Sequence, residues 1–154
     1  MSDIDARLAA LGVTLPEPVA PVANYVPFVQ TGNAVYISGQ VSLGPDGLMK
    51  GRLGADLDLA AGQAAARLCG INLIAQMKAA CDGDLSRVAR VVKLGGFVNA
   101  APDFKEIPQV VNGCSDLMVE VFGDAGRHAR SAVGCSNLPL GVAVEVDAVF
   151  EIRE

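Results

Sequence analysis

The sequence predicts an α+β domain in which a mixed sheet carries two helices on one face. Three observations predict it. Two stretches near the ends of the chain, "YVPFVQTGNAVYISGQVS" and "RSAVGCSNLPLGVAVEVDAVFEI", are rich in β-branched residues and broken by turn residues, so each is expected to be a hairpin. Two stretches between them repeat apolar residues at helical spacing, over about 58–80 and 106–122. Finally, 51% of the 154 residues are hydrophobic, enough for a core, and with no tryptophan that core is built from Val, Leu, Ile and Ala. Helices alternate with strands, yet hairpins demand antiparallel neighbours, which separates this chain from doubly wound folds. A sheet covered on one side leaves the other open, so an oligomer is expected.

Taken in order, Ser2 can cap a short helix with Ile4, Leu8 and Leu11 on one face and Gly12 at its end. Pro16, Pro18 and Pro21 follow in an extended linker. We take the whole chain, 1–154, as one domain, with 1–23 an N-terminal helix and proline-rich extension and 24–154 the core. In the first hairpin, Pro27 places its strand at an edge, at a bulge, or just before regular pairing. Pro45-Asp46-Gly47 supplies the next turn.

The long helix is expected to bury Ala61, Ala64, Leu68, Ile71 and Ala75, with Gly62 and Gly70 allowing close approach to the sheet, and "CDGD" stops it. "VARVVKLGGFVNA" reads as a strand kinked or bulged at Gly95-Gly96. In the second helix Pro108 suits the first turn, Ile107, Val111, Cys114, Met118 and Val121 form the buried stripe, and "GDAG" ends it.

Several function classes are disfavoured. The net charge is −5, with scattered Lys and Arg and 5% aromatic residues, which argues against a nucleic-acid groove. No apolar run reaches the roughly 18–20 residues that span a bilayer, so no membrane partner is expected. His128 is the single histidine, which removes HExxH zinc sites; no metal is expected. The chain opens with acids where a secretory signal would carry basic residues, and Cys69, Cys81, Cys114 and Cys135 form no CxxC pair. The expectation is a cytoplasmic protein with four buried, reduced thiols.

In the last strand Val142, Val144, Val146, Ala148, Phe150 and Ile152 share one face, and Ala143, Glu145, Asp147, Val149 and Glu151 the other. In the strand before it, Val133 and Cys135 oppose Arg130, Ala132 and Gly134. Pairing Asn137 with Val142 unites the apolar faces, puts Gly134 opposite Glu145, and leaves Arg130 and Glu145 on one side above small residues. A cation and an anion flanking a small-residue floor make a seat for a small carboxylate.

These residues carry a resemblance. "ARSAVGCSNLPLGVAVEVDAVF" resembles the signature segment of the RidA/YjgF family of small imine deaminases, "YVPFVQTGNAVYISGQV" the family's opening, and "DFKEIPQVVNGCSDLMVEVFG" its second helix. The resemblance covers about residues 24–152. It implies a chorismate mutase-like protomer, a homotrimer with clefts between subunits, and hydrolysis of reactive enamines or imines to 2-keto acids and ammonia without metal or cofactor. By the same resemblance, Arg130 clamps the substrate carboxylate, Glu145 positions and activates water, Tyr25 borders the cleft and the Gly39 backbone approaches the ligand. Ala132 and Asn112 line the site, Ala132 where the deaminases often carry cysteine. His128 has no role in this pattern and is expected on the surface. His128-Ala129-Arg130, where the deaminases have Pro-Ala-Arg, and the N-terminal extension mark a longer, divergent branch. The competing readings are a non-catalytic binder of small carboxylates and an endoribonuclease.

Overall fold

The computed structural model describes residues 2–18, 20 and 23–154. Helix α1 (Asp3–Ala10) starts at Ser2, whose hydroxyl accepts from the Asp5 amide while the Asp5 carboxylate accepts from the Ser2 amide. Leu8 joins the core, and Arg7 donates to the Val121 carbonyl, tying this helix to the end of another. Pro16 and Pro18 lie in irregular backbone; Pro21 lies outside the described residues.

Strands β1 (Phe28–Thr31) and β2 (Ala34–Val41) form the first hairpin, with Pro27 immediately before regular pairing. A two-residue turn at Pro45-Asp46 joins the short strands β3 (Leu43–Gly44) and β4 (Gly47–Leu48). Helix α2 (Leu59–Ala80) is capped by Asp58, which accepts from the Ala61 amide. Strand β5 (Val88–Asn99), helix α3 (Ile107–Phe122), strand β6 (Ala129–Cys135) and strand β7 (Val144–Ile152) complete the chain. In α3 Val111, Cys114, Met118 and Val121 are buried as expected, and Ile107 packs on the core from the first turn.

The five-stranded sheet has the order β1-β2-β7-β5-β6. β7 runs antiparallel to β2 and β5, while β6 is parallel to β5, so the sheet is mixed. α2 and α3 cover one face. The alternation expected in the last strand holds: Val144, Val146, Ala148, Phe150 and Ile152 are buried beneath the helices. The other face carries Val29, Tyr36 and Val133 about half exposed, with Phe97 and Val149 between them.

Four expectations are corrected. The terminal segments are not a hairpin: β5 lies between β6 and β7, with Val133 and Glu145 both opposite Phe97 and Gly134 opposite Val98. β5 buries Val88, Val91, Leu94 and Val98 and takes an interior place between β7 and β6, while half-exposed β6 takes the edge. The helical crossover through α3 also sets β6 parallel to β5, where a tight turn could not.

The buried side of α2 is Gly62, Ala65, Ala66, Cys69 and Leu73 rather than Ala61, Ala64, Leu68 and Ile71. This helix is apolar nearly all round, so period alone does not choose a face; contact with both the sheet and α3 does. Gly95 and Gly96 pair regularly, and the irregularities of β5 fall nearer its start, at Val88/Arg90 and Val91/Lys93. A methyl group on Gly95 would strike Asp147, and one on Gly96 would strike Val111, so close approach explains both glycines. Cys69, Cys81 and Cys114 are buried, but Cys135 is half-buried.

Gly113 marks the closest contact of the two long helices, because a methyl group there would run into the backbone carbonyl of Gln63. Backbone cannot yield as a side chain does. Gly113→Ala is therefore expected to cost about 2–3 kcal/mol. Urea denaturation at fixed protein concentration should show a lower midpoint with an unchanged slope.

Candidate functional site

The structure separates the six residues named from the sequence into two groups on opposite faces of the sheet. Tyr25, Gly39 and Glu145 form one group; Arg130, Asn112 and Ala132 form the other.

The first group is built on a β-bulge. Ile37 pairs with Ala148 and Gln40 with Val146, so Ser38 and Gly39 together face Asp147. The Ser38 amide donates to the Pro27 carbonyl (2.9 Å) and its hydroxyl donates to the Val26 carbonyl (2.8 Å). These bonds hold the segment that carries Tyr25. Glu145 leans across Gly39, and a side chain there would have to push the carboxylate out of this position. Asn72 of α2 fixes the end of β2 through its amide, which donates to the carbonyls of Val41 (3.1 Å) and Leu43 (3.0 Å).

The result is an open pocket of about 560 Å³ whose walls include Tyr25, Pro27, Gly39, Pro139, Leu140 and Glu145. Burial is the main cause that raises the Glu145 pKa above its ordinary value, and neighbouring Asp147 adds to it. Leu140, 69% exposed, stands at the rim in the left-handed backbone region (φ 61°). An exposed leucine in that conformation costs roughly 1–2 kcal/mol relative to glycine. Strain of this kind concentrates at sites of function.

The second group sits at the sheet edge under α3. Arg130 pairs with Leu94 and Ala132 with Gly96, on the face that α3 covers. The Arg130 Nη1 donates to Asn112 Oδ1 (2.8 Å) and to Ser115 Oγ (3.2 Å). Both hydrogens of that nitrogen are thus used, and among the described residues Nε and Nη2 have no partner. His128, expected on the surface, is instead half-buried, with Nε2 2.8 Å from Ser115 Oγ and Nδ1 2.6 Å from the Gly126 carbonyl. Burial, the largest cause, holds its pKa below the usual histidine value, and Arg130 contributes in the same direction.

Arg130 and Glu145 therefore do not share a side of one sheet. From Arg130 the register runs through Leu94 to Ala148, two strands or about 9.5 Å away, and Glu145 lies three residues further along β7, about 10 Å, pointing the opposite way. Among the described residues no group of three or more His, Cys, Asp or Glu is placed to hold a metal ion. Burial pushes the Cys114 thiol up to about 12 and raises Cys69 well above its ordinary value, so neither is a ready nucleophile. Among the described residues no helix is long and apolar enough to cross a membrane.

The family described as "YjgF/chorismate mutase-like, putative endoribonuclease" matches residues 5–151. The chain belongs to this family. Protein TCP17 of Trypanosoma cruzi is 51% identical over 97% of this chain and 94% of its own length. A 2-iminobutanoate/2-iminopropanoate deaminase of Dermatophagoides farinae is 28% identical over 90% of this chain and 91% of its own. The crystal structure of Atu1372 from Agrobacterium tumefaciens, a protein described as of unknown function, superposes with a TM-score of 0.92 at 48% identity, covering 98% of this chain and 93% of that one. The YjgF fold expected from the sequence is thereby confirmed, as an α+β protomer with a mixed sheet.

Sequence reading missed Ser115 and Leu140 and left His128 without a role. Ser115 lies three residues after Asn112 on α3 and so shares its face, a signal available in the spacing. Nothing in "LPLG" marks Leu140, because what sets it apart is a backbone conformation unusual for leucine.

Proposed function

We propose that this protein hydrolyses small 2-imino acids, or their enamine tautomers, to 2-keto acids and ammonia, in a homotrimer whose clefts join two protomers. The observation that carries the reading is the opposed placement of its two halves. A carboxylate receptor, Arg130, faces α3 at the sheet edge, while a shielded carboxylate, Glu145, lines a pocket at the other face. Both can act on one ligand only if neighbouring copies contribute one each. The uncovered face with Val29, Tyr36 and Val133 half exposed favours such association.

In this mechanism the substrate carboxylate pairs with the Nε–Nη2 edge of Arg130, a bidentate contact that fixes orientation. Glu145 of the adjoining protomer accepts a proton from water as the water oxygen bonds to the imine carbon, and its carboxyl passes that proton to the nitrogen, giving the neutral carbinolamine. The carbinolamine then loses ammonia as the C–N bond breaks and the carbonyl forms, Glu145 carrying the hydroxyl proton to the departing nitrogen. The raised pKa of Glu145 suits a group that takes and returns a proton. The apolar rim at Pro139 and Leu140 would meet the side chain of the substrate. Neither a metal nor a cofactor is required by this chemistry. The deaminase name of the Dermatophagoides relative supports the reading.

RNA cleavage fits less well. The net charge is −5, and the one histidine has both ring nitrogens committed to Ser115 and Gly126. The test is a coupled assay in which an amino-acid oxidase releases imine from a small amino acid. Faster conversion of imine to keto acid in the presence of the protein is expected; decay at the uncatalysed rate would refute the reading.

A further inference from the structure

We infer that Ser115 and His128 are positioning residues that hold Arg130 in its receptor geometry through a one-way hydrogen-bond chain from Arg130 to Ser115 to His128 to the Gly126 carbonyl. The inference rests on the reading of Arg130 as the carboxylate clamp, but its residues and its test are separate.

The direction of the chain follows from what each atom can do. The Gly126 carbonyl only accepts, so His128 Nδ1, 2.6 Å away, carries the proton. The ring is neutral, since burial disfavours its charged form. Nε2 therefore offers a lone pair, and the Ser115 hydroxyl at 2.8 Å donates to it. With its single proton directed to the ring, Ser115 Oγ presents lone pairs to Arg130 Nη1, which it meets at 3.2 Å. Successive bonds pointing one way polarise each other.

Without the histidine acceptor the serine hydroxyl is free to turn to the carbonyl of Val111, four residues earlier on α3, as serines in helices do. Arg130 would then be held by Asn112 alone. A long guanidinium side chain loses about 2 kcal/mol of rotamer entropy when it is fixed. The chain fixes it before the ligand arrives, leaving the Nε–Nη2 edge turned toward a carboxylate. Charge does not account for the arrangement. The charged group acting on the ring is Arg130, two residues on in β6, while the Asp124–Arg127 pair (3.4 Å) on the preceding turn is exposed and α3 brings the uncharged Ser115 and Asn112.

The probe is 2-oxobutanoate, titrated into wild type, Arg130→Ala, Ser115→Ala, Ser115→Thr, His128→Ala, His128→Asn and the Ser115→Ala/His128→Ala double variant, alongside the imine assay. Ser115→Ala and His128→Ala should each weaken binding about tenfold, the loss expected for one hydrogen bond to a charged group. KM should rise by the same factor, with kcat within about twofold. The double variant should bind no more weakly than Ser115→Ala, because His128 acts through Ser115. Ser115→Thr keeps the hydroxyl and should restore binding. His128→Asn keeps a donor for Gly126 but offers no acceptor at the Nε2 position, and should behave as His128→Ala. In wild type, nitrogen NMR of the ring should show the Nδ1–H tautomer.

Unchanged binding in the His128 variants, losses that multiply in the double variant, or an Nε2–H ring would each overturn the inference. Were wild type to bind 2-oxobutanoate and Arg130→Ala not, the clamp would stand whatever the His128 variants did. Were wild type neither to bind it nor to speed imine decay, clamp and brace would fall together.

Discussion

Arg130→Ala is expected to lower kcat/KM for small 2-imino acids by about 10²–10³-fold, the loss expected when a two-pronged charged contact disappears. The side chain sits on an edge strand and is half-buried, so the fold should survive its removal. The two acceptors it leaves, Asn112 Oδ1 and Ser115 Oγ, lie on a half-exposed part of α3 that water can reach. Far-UV circular dichroism and the urea midpoint should therefore change little. Arg130→Lys discriminates charge from shape. A lysine keeps the positive charge but replaces the planar fork with a single ammonium, so it cannot both satisfy Asn112 and Ser115 and grip a carboxylate through two parallel bonds. An intermediate loss of about 10–100-fold is expected, mostly in KM. Full activity in Arg130→Ala would remove the clamp from the mechanism; full activity in Arg130→Lys would reduce it to a point charge.

The alternation of β7 shows what was legible in the sequence. A strand with one apolar face has its faces set by a period of two, whatever lies beside it, and Glu145 was correctly assigned to the side away from the helices. The partner of that strand was not legible. β6 and β7 are consecutive strands joined by eight residues that include the turn-like "LPLG", the ordinary signature of a hairpin, and matching their apolar faces sets a sound register for a hairpin. It failed because a third strand, β5, with more apolar side chains than β6, takes the interior place beside β7. That competition is settled by the packing of all five strands against α2 and α3, and no local window contains it. One consequence reached the site. Inserting β5 turns Arg130, Ala132 and Gly134 toward α3, so the cation and anion expected on one side lie on two. The bulge at Ser38-Gly39 was equally hidden, since its register shift depends on the strand opposite. By contrast, the cap at Ser2 and Pro108 in the first turn of α3 are local chemistry and were readable.

Glu145→Gln is expected to lower the imine hydrolysis rate by at least about 10², because the amide keeps the shape but cannot take a proton from water. Its pH behaviour fixes the role further. Burial and Asp147 raise the Glu145 pKa, so the wild-type rate should rise through a pH window above 4.5, and that limb should be missing in the variant. The stability effect has the opposite sign. A carboxyl with a raised pKa in the folded state stabilises the fold while protonated, and this contribution is lost as pH rises through the folded-state value. Glu145→Gln should therefore be at least as stable as wild type at neutral pH and no better in acid, a residue kept for function against stability.

The opposed faces then supply a test that no single variant offers. If each cleft takes Arg130 from one protomer and Glu145 from the next, Arg130→Ala and Glu145→Gln are complementary defects. Co-assembled in equal amounts, about three quarters of the trimers contain both kinds of chain, and each of these has one cleft of three with both residues intact. Two inactive proteins should then regain about a quarter of wild-type activity. Native mass spectrometry can verify that mixed trimers have formed; mixed trimers as inactive as their parents would mean that Arg130 and Glu145 do not meet across a protomer boundary.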